Sequence, residues 1–279
     1  PWLSPPDFVI PLPGIDDAQQ MGDVLKLVQN STCPESILSR PLRGSSLRMT
    51  PTPTDDDLGL AAAIAHDAAD QLAGLRQRFL VPDDVIYLDG NSLGVLPVGV
   101  AERVSTAVSE EWGTGLIRSW NAAQWVDLPS RVGARIAAMI GARPDCVIAA
   151  DSTTVNLFKV LSAAVALQPG RTKIVTETGN FPTDNYIAEG VIRQCGGRHQ
   201  LVHIDQPEDI TTALDSDVAV LMLTHVNYRN GRVHDMAALT RAAQDAGALV
   251  IWDLAHSAGA LPVDLEGCNV DFAVGCGYK

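Results

Sequence analysis

Apolar residues in the second half of the chain fall in short, dense runs. Residues 173–176, 201–204, 218–223, 248–252 and 270–276 each have the length of a strand and little polar alternation. Runs of this kind predict strands buried on both faces. Between them lie segments of helical period, at 155–167, from about 182 to 194, and at 236–246. A further strand is predicted at 146–150, just before the polar turn Asp151-Ser152-Thr153-Thr154 that opens the first of these helices. Ser and Thr at such a turn cap free amides, and the same amides can hold phosphate. The alternation predicts an α/β fold with a mainly parallel sheet covered by helices on both faces.

The first half is less regular. Leu60, Ile64, Ala68, Leu72 and Leu75 recur at helical spacing, as do Val100, Val104, Ala107, Val108 and Trp112. Val132, Ile136, Ala137 and Ile140 do the same after Pro129, a residue suited to a first helical turn. Residues 85–88 predict a short strand running into the turn Gly90-Asn91-Ser92-Leu93-Gly94. Residues 113–125 read as a Trp- and Gly-rich loop carrying Arg118, either lining a substrate site or pinned to the surface by its tryptophans. Residues 1–57 break the pattern, with prolines at 1, 5, 6, 11, 13, 34, 41, 51 and 53 and few apolar words. They predict a disordered leader, with a natural start at Met49, ahead of one folded domain over 58–279.

Composition narrows the partners. Apolar residues make up 46% and charged residues 19%, which suits a globular domain. The net charge of −13 argues against nucleic acid or an anionic membrane as partner and leaves a small molecule. Five cysteines without a CxxC or metal-ligand spacing suit a reducing compartment, and no metal is expected. No secretory signal or membrane-length apolar run is visible, so the expected location is the cytoplasm.

The polar words sit where the runs end. Asp253 closes 248–252, and Lys279 follows 270–276. A carboxylate and a lysine at neighbouring strand ends suit pyridoxal phosphate, whose ring nitrogen needs an acid and whose aldehyde needs an amine. Asp253 paired in this way would have a depressed pKa. Thr153, Thr154, Phe181, Asp184, Thr224, His256 and Tyr278 lie at the same edge. Hydroxyls and helix amides suit a phosphate, and a phenyl ring suits stacking on a pyridine. His256 stands equally well as a structural histidine.

Tyr87–Gly94 (YLDGNSLG), 115–120 (GLIRSW), 154–157 (TVNL), 180–184 (NFPTD), 223–228 (LTHVNY), 252–260 (WDLAHSAGA) and 275–279 (GCGYK) together resemble the bacterial kynureninases, in the family's order. The Asp253–His256–Lys279 pattern is shared more widely, with class V aminotransferases and cysteine desulfurases. The resemblance covers about 58–279 and implies the large domain of aminotransferase fold type I. It implies Lys279 as the Schiff-base lysine, Asp253 as the pyridinium partner and Tyr278 as a third catalytic residue. It implies cofactor contacts from Thr153, Thr154, Phe181, Pro182, Thr183, Asp184, Thr224, Asp253, His256, Tyr278 and Lys279. It further implies a homodimer and the hydrolysis of L-kynurenine, or 3-hydroxykynurenine, to the anthranilate and L-alanine in tryptophan catabolism. The family continues beyond this lysine with a carboxylate-binding arginine, so the chain by itself is expected to be inactive. A class V aminotransferase, a cysteine desulfurase and a non-catalytic fragment are the competing readings.

Overall fold

The computed structural model describes residues 59–279. The expected leader, 1–57, and the start at Met49 lie outside the described residues. The chain divides into two units, residues 1–68 and 69–279. The described part of the first is most of helix α1, Leu60–Ala69. The helical period expected to run on to Leu75 stops there. The Asp70 carboxylate accepts the Leu72 amide at 2.8 Å, a local turn that competes with the helix, and a 3-10 segment follows at Ala73–Arg78.

In the second unit, five parallel strands form one sheet: β1 Lys173–Glu177, β2 Gln200–Ile204, β3 Val218–Thr224, β4 Leu249–Asp253 and β5 Phe272–Val274. Their order is β2-β1-β3-β4-β5. β1 thus has β2 on one side and β3 on the other, and loops leaving its carboxyl end diverge to open a crevice. Further helices are α2 Val100–Thr106, extended by a π turn at Ala107–Trp112, α4 Leu128–Met139, α5 Thr153–Leu167 and α6 Pro182–Gln194. The short α3 is Ser119–Ala122, and α7 is Met236–Asp245.

Both sheet faces are covered. Leu157, Leu161 and Ala164 of α5 and Val191 of α6 pack with Val220, Met222 and Ile251. Leu239 and Ala243 of α7 pack with Leu221, Leu223 and Trp252 on the other face. Alternate residues of β3 therefore serve opposite cores, which is why that strand is apolar at nearly every position. Burying the indole leaves one donor to satisfy, and Trp252 Nε1 donates to Thr240 Oγ1 of α7 at 3.0 Å.

Two expected strands are absent. Residues 146–150 follow a 3-10 turn, Pro144–Cys146, and run extended past α4, with Ala149 N donating to Pro129 O at 3.1 Å. Residues 85–88 are also irregular, and Ile86 and Leu88 are exposed. An apolar run becomes a strand only when a partner lies alongside, and neither run has one. Among the described residues, no helix is long and apolar enough to cross a membrane.

Candidate active site

The carboxyl edge of the sheet gathers the polar residues. Asp253 ends β4 and is almost wholly buried. Its Oδ1 accepts the Ala255 amide at 2.8 Å, and its backbone oxygen accepts His225 N at 2.9 Å. Asp184, in the first turn of α6, is equally buried and lines the same cavity as Asp253. Burial pushes the Asp184 carboxyl up to about 8, and the neighbouring Asp253 charge adds to the rise against the pull of Lys279. Asp253 is also raised by burial, although the Ala255 amide, Lys279 and Asp184 oppose the shift. The depression expected of Asp253 applies to a carboxylate paired with a pyridinium, whereas these shifts come from the protein's own groups. The Asp253 carboxylate has lost its water, and that loss outweighs the groups that favour its charge. Asp184 Oδ2 is buried without a hydrogen-bond partner.

Lys279 Nζ lies 3.1 Å from His256 Nε2. Burial and the Lys279 charge both lower the His256 pKa, so the imidazole is neutral and its Nε2 accepts from the ammonium. The segment bearing Lys279 is held from two sides. Thr153 Oγ1 donates to Gly275 O at 3.0 Å, and Gly94 N donates to Tyr278 O at 2.7 Å. A Cβ on Gly94 would stand 3.1 Å from that same oxygen, which accounts for glycine at the end of the 90–94 turn.

At the start of α5, Ser152 is the cap: its Oγ accepts Val155 N at 3.3 Å. Thr153 and Thr154 become the first two helical residues, whose amides have no carbonyl within the helix to bond. Phe181 immediately precedes α6, and its ring meets Tyr228 edge-on, with centroids 5.2 Å apart.

One cavity of about 90 Å³ is lined by Thr153, Thr154, Phe181, Thr183, Asp184, Asp253, Ala255, His256, Tyr278 and Lys279. Nine of the sequence-derived candidates thus meet in one place. Pro182 and Thr224 do not line it. Pro182 starts α6, and the Thr224 hydroxyl donates to Asn180 Oδ1 beneath the cavity. Nor does any residue of 113–125. Arg118 turns to the carbonyls of Thr114 and Gly115, and Trp125 Nε1 bonds Glu111 at 2.7 Å, so these side chains pin the loop locally. A larger groove of about 480 Å³ beside residues 85–88 is mostly apolar and has neither a lysine nor an acid pair. Size is not the guide to the site here.

Sequence reasoning missed the support under the cavity. Asn180, buried, accepts from Phe181 N at 2.7 Å and from Thr224, and donates to Thr176 Oγ1 at 3.1 Å. It ties β1, β3 and α6 together. Its signal was position alone, one residue before the aromatic.

The donor set suits a flat ring carrying a cationic nitrogen, an aldehyde and a phosphate. An N–H brought to the acid pair would satisfy the orphaned Asp184 oxygen. Lys279 supplies the amine, and the start of α5 supplies anion-binding amides.

The model of the class-V aminotransferase family matches residues 86–279. Curated relatives include a kynureninase of Pseudomonas fluorescens, 56% identical over 220 residues. That match spans 77% of this chain and 53% of the relative. A kynureninase of Burkholderia mallei is 53% identical over 221 residues, covering 78% of this chain and 53% of its own length. The chain thus spans about half the length of these relatives. Among solved structures, an apo cysteine desulfurase from Thermococcus onnurineus NA1 superposes with a TM-score of 0.62 at 22% identity. It covers 74% of this chain and 53% of that one. The Escherichia coli desulfurase CsdA gives 0.58 at 19%, over 75% and 55%. These two share the fold. With its parallel sheet, its strand-end lysine and its acid at β4, this chain belongs to the class-V aminotransferase family.

Proposed function

We propose that this chain is the cofactor-binding part of a kynureninase, which hydrolyses the side chain of L-kynurenine, or its 3-hydroxy form, with pyridoxal phosphate. The observation that carries the reading is the meeting of Lys279, His256, Asp253, Asp184 and Phe181 in one cavity at the carboxyl ends of parallel strands. When bound, pyridoxal phosphate supplies an electron sink for the charge that develops at the substrate's α-carbon. Lys279 Nζ would be the amine that holds the aldehyde end and would carry a proton to and from the substrate's α-carbon. Neutral His256 receives the Lys279 N–H and holds that nitrogen in place. Asp253, fixed by the Ala255 amide, would meet the ring nitrogen together with Asp184. The amides of Thr153 and Thr154 and the Thr154 hydroxyl, with Tyr278, would hold the phosphate, and Phe181 would offer its face to the ring. Thr183 lines the same wall, while Pro182 and Thr224 act by holding the Phe181 turn and Asn180.

Support for the substrate comes from identity of 52–56% to kynureninases over more than three-quarters of the chain. The desulfurases share only fold-level likeness. The same reading makes the whole protein a cytoplasmic homodimer. Joined to the C-terminal half of the Pseudomonas fluorescens relative, this chain should release anthranilate from L-kynurenine, and the Lys279→Ala chimera should release none. Sulfide from L-cysteine without anthranilate would place the chain with the desulfurases instead.

A further inference from the structure

The pair formed by Asp184 and Asp253 is unusual for a cation-binding site. Both carboxyls are at most 4% exposed, and they line the same cavity. The titratable groups facing them are few. Lys279 is the cation whose charge they feel, and it donates to His256; Tyr278 lines the same cavity, its hydroxyl pKa raised by Cys276 first and also by Asp253. His256 is neutral for the reasons given above. One oxygen of Asp253 is taken by an amide, while Asp184 Oδ2 has no hydrogen-bond partner among the described residues. Two ionised carboxylates this close and this dry repel strongly, so one must keep a proton.

We infer that the Asp184–Asp253 pair stores one proton while the ring site is free and expels it when the cationic ring enters, so that cofactor binding is coupled to proton release. The inference rests on the reading of this cavity as the pyridoxal phosphate site. The balance is simple. The ring arrives with its N–H, the proton shared by the two acids leaves to solvent, and the N–H then lies between two ionised carboxylates. The orphaned Asp184 oxygen gains a donor. Asp184 is on this account a positioning residue that also sets the charge of the site. The rise of its carboxyl to about 8 agrees with a proton still present at neutral pH.

The test uses pyridoxine 5′-phosphate, which lacks the aldehyde and so leaves Lys279 chemistry out. Its binding is measured by titration calorimetry at pH 7 in two buffers of different ionisation enthalpy. Wild-type protein should release close to one proton more than Asp184→Asn, whose amide cannot ionise. Between pH 6.5 and 8 the wild-type affinity should rise by up to about tenfold per pH unit, and that of Asp184→Asn should not share this rise. Equal proton release by both proteins would overturn the inference and leave the cofactor reading standing. Binding to neither would remove both. Infrared difference spectra of the wild type alone give a second reading that needs no variant. A carboxylic-acid C=O band should disappear on saturation with pyridoxine 5′-phosphate, and a band that persists contradicts the expulsion.

Discussion

Asp184 shows what a residue's neighbours decide. Its identity was legible in the sequence, as were Lys279, Asp253 and Phe181, because they stand at run ends where a parallel sheet opens. Its protonation was not legible, because that depends on burial and on the nearby Asp253 carboxyl. The consequence is measurable without any ligand. A carboxyl with a folded pKa above its unfolded value binds more protons in the native state, so it costs stability as pH rises from the ordinary carboxylate range towards about 8. Ligand-free protein should lose up to about 1.4 kcal/mol, or roughly 3 °C in Tm, per pH unit through this pair. Melting curves from pH 5 to 8 check this, and Asp184→Asn should flatten the slope. A wild-type Tm that rises over the interval contradicts the raised value. Thr153 gives a second case. Thr153→Val removes the donor to Gly275 O and should cost about 1 kcal/mol. It should also slow capture of pyridoxal phosphate by Lys279, because the segment bearing the lysine loses one of its two anchors. Unchanged stability and capture would show that the bond is incidental.

Elements were read best where burial leaves no choice. β3 and β4 came through because both faces are covered and nearly every position is apolar, while β1 is buried from Ile174 to Glu177 around the apolar pair Ile174-Val175. Residues 85–88 and 146–150 misled because their apolar runs look alike, and a sequence does not say which run finds a partner. The second of these has a different task. Its Val147 backbone crosses α4 at Gly133, where a Cβ would stand 2.0 Å from Val147 O and 2.6 Å from Val147 C. Backbone on both sides cannot move aside cheaply. Gly133→Ala should therefore destabilise the protein by about 1–3 kcal/mol, read as a shifted denaturant midpoint with unchanged m. A variant as stable as the parent would show that α4 and the 147–149 segment are free to part. The helix expected to reach Leu75 fails for a smaller reason, the side chain of Asp70 bonding two residues ahead.

At the scale of the whole molecule, a strand order that turns at β1 sends loops from β1, β3, β4 and β5 towards one edge, and α5 brings its amino end to the same place. That placement turns separate polar words into one site. It also explains why the site could be read from the sequence before the contacts were known: a parallel sheet has only one edge where its strands end. The central claim is that Lys279 is the residue that bonds the cofactor. Protein incubated with pyridoxal phosphate, reduced with borohydride, digested and mapped by mass spectrometry tests it directly. The account predicts a pyridoxyl group on Lys279, lost in Lys279→Ala and reduced when phosphate competes. Label found instead on Lys159 or Lys173, with Lys279 unmodified, would contradict it.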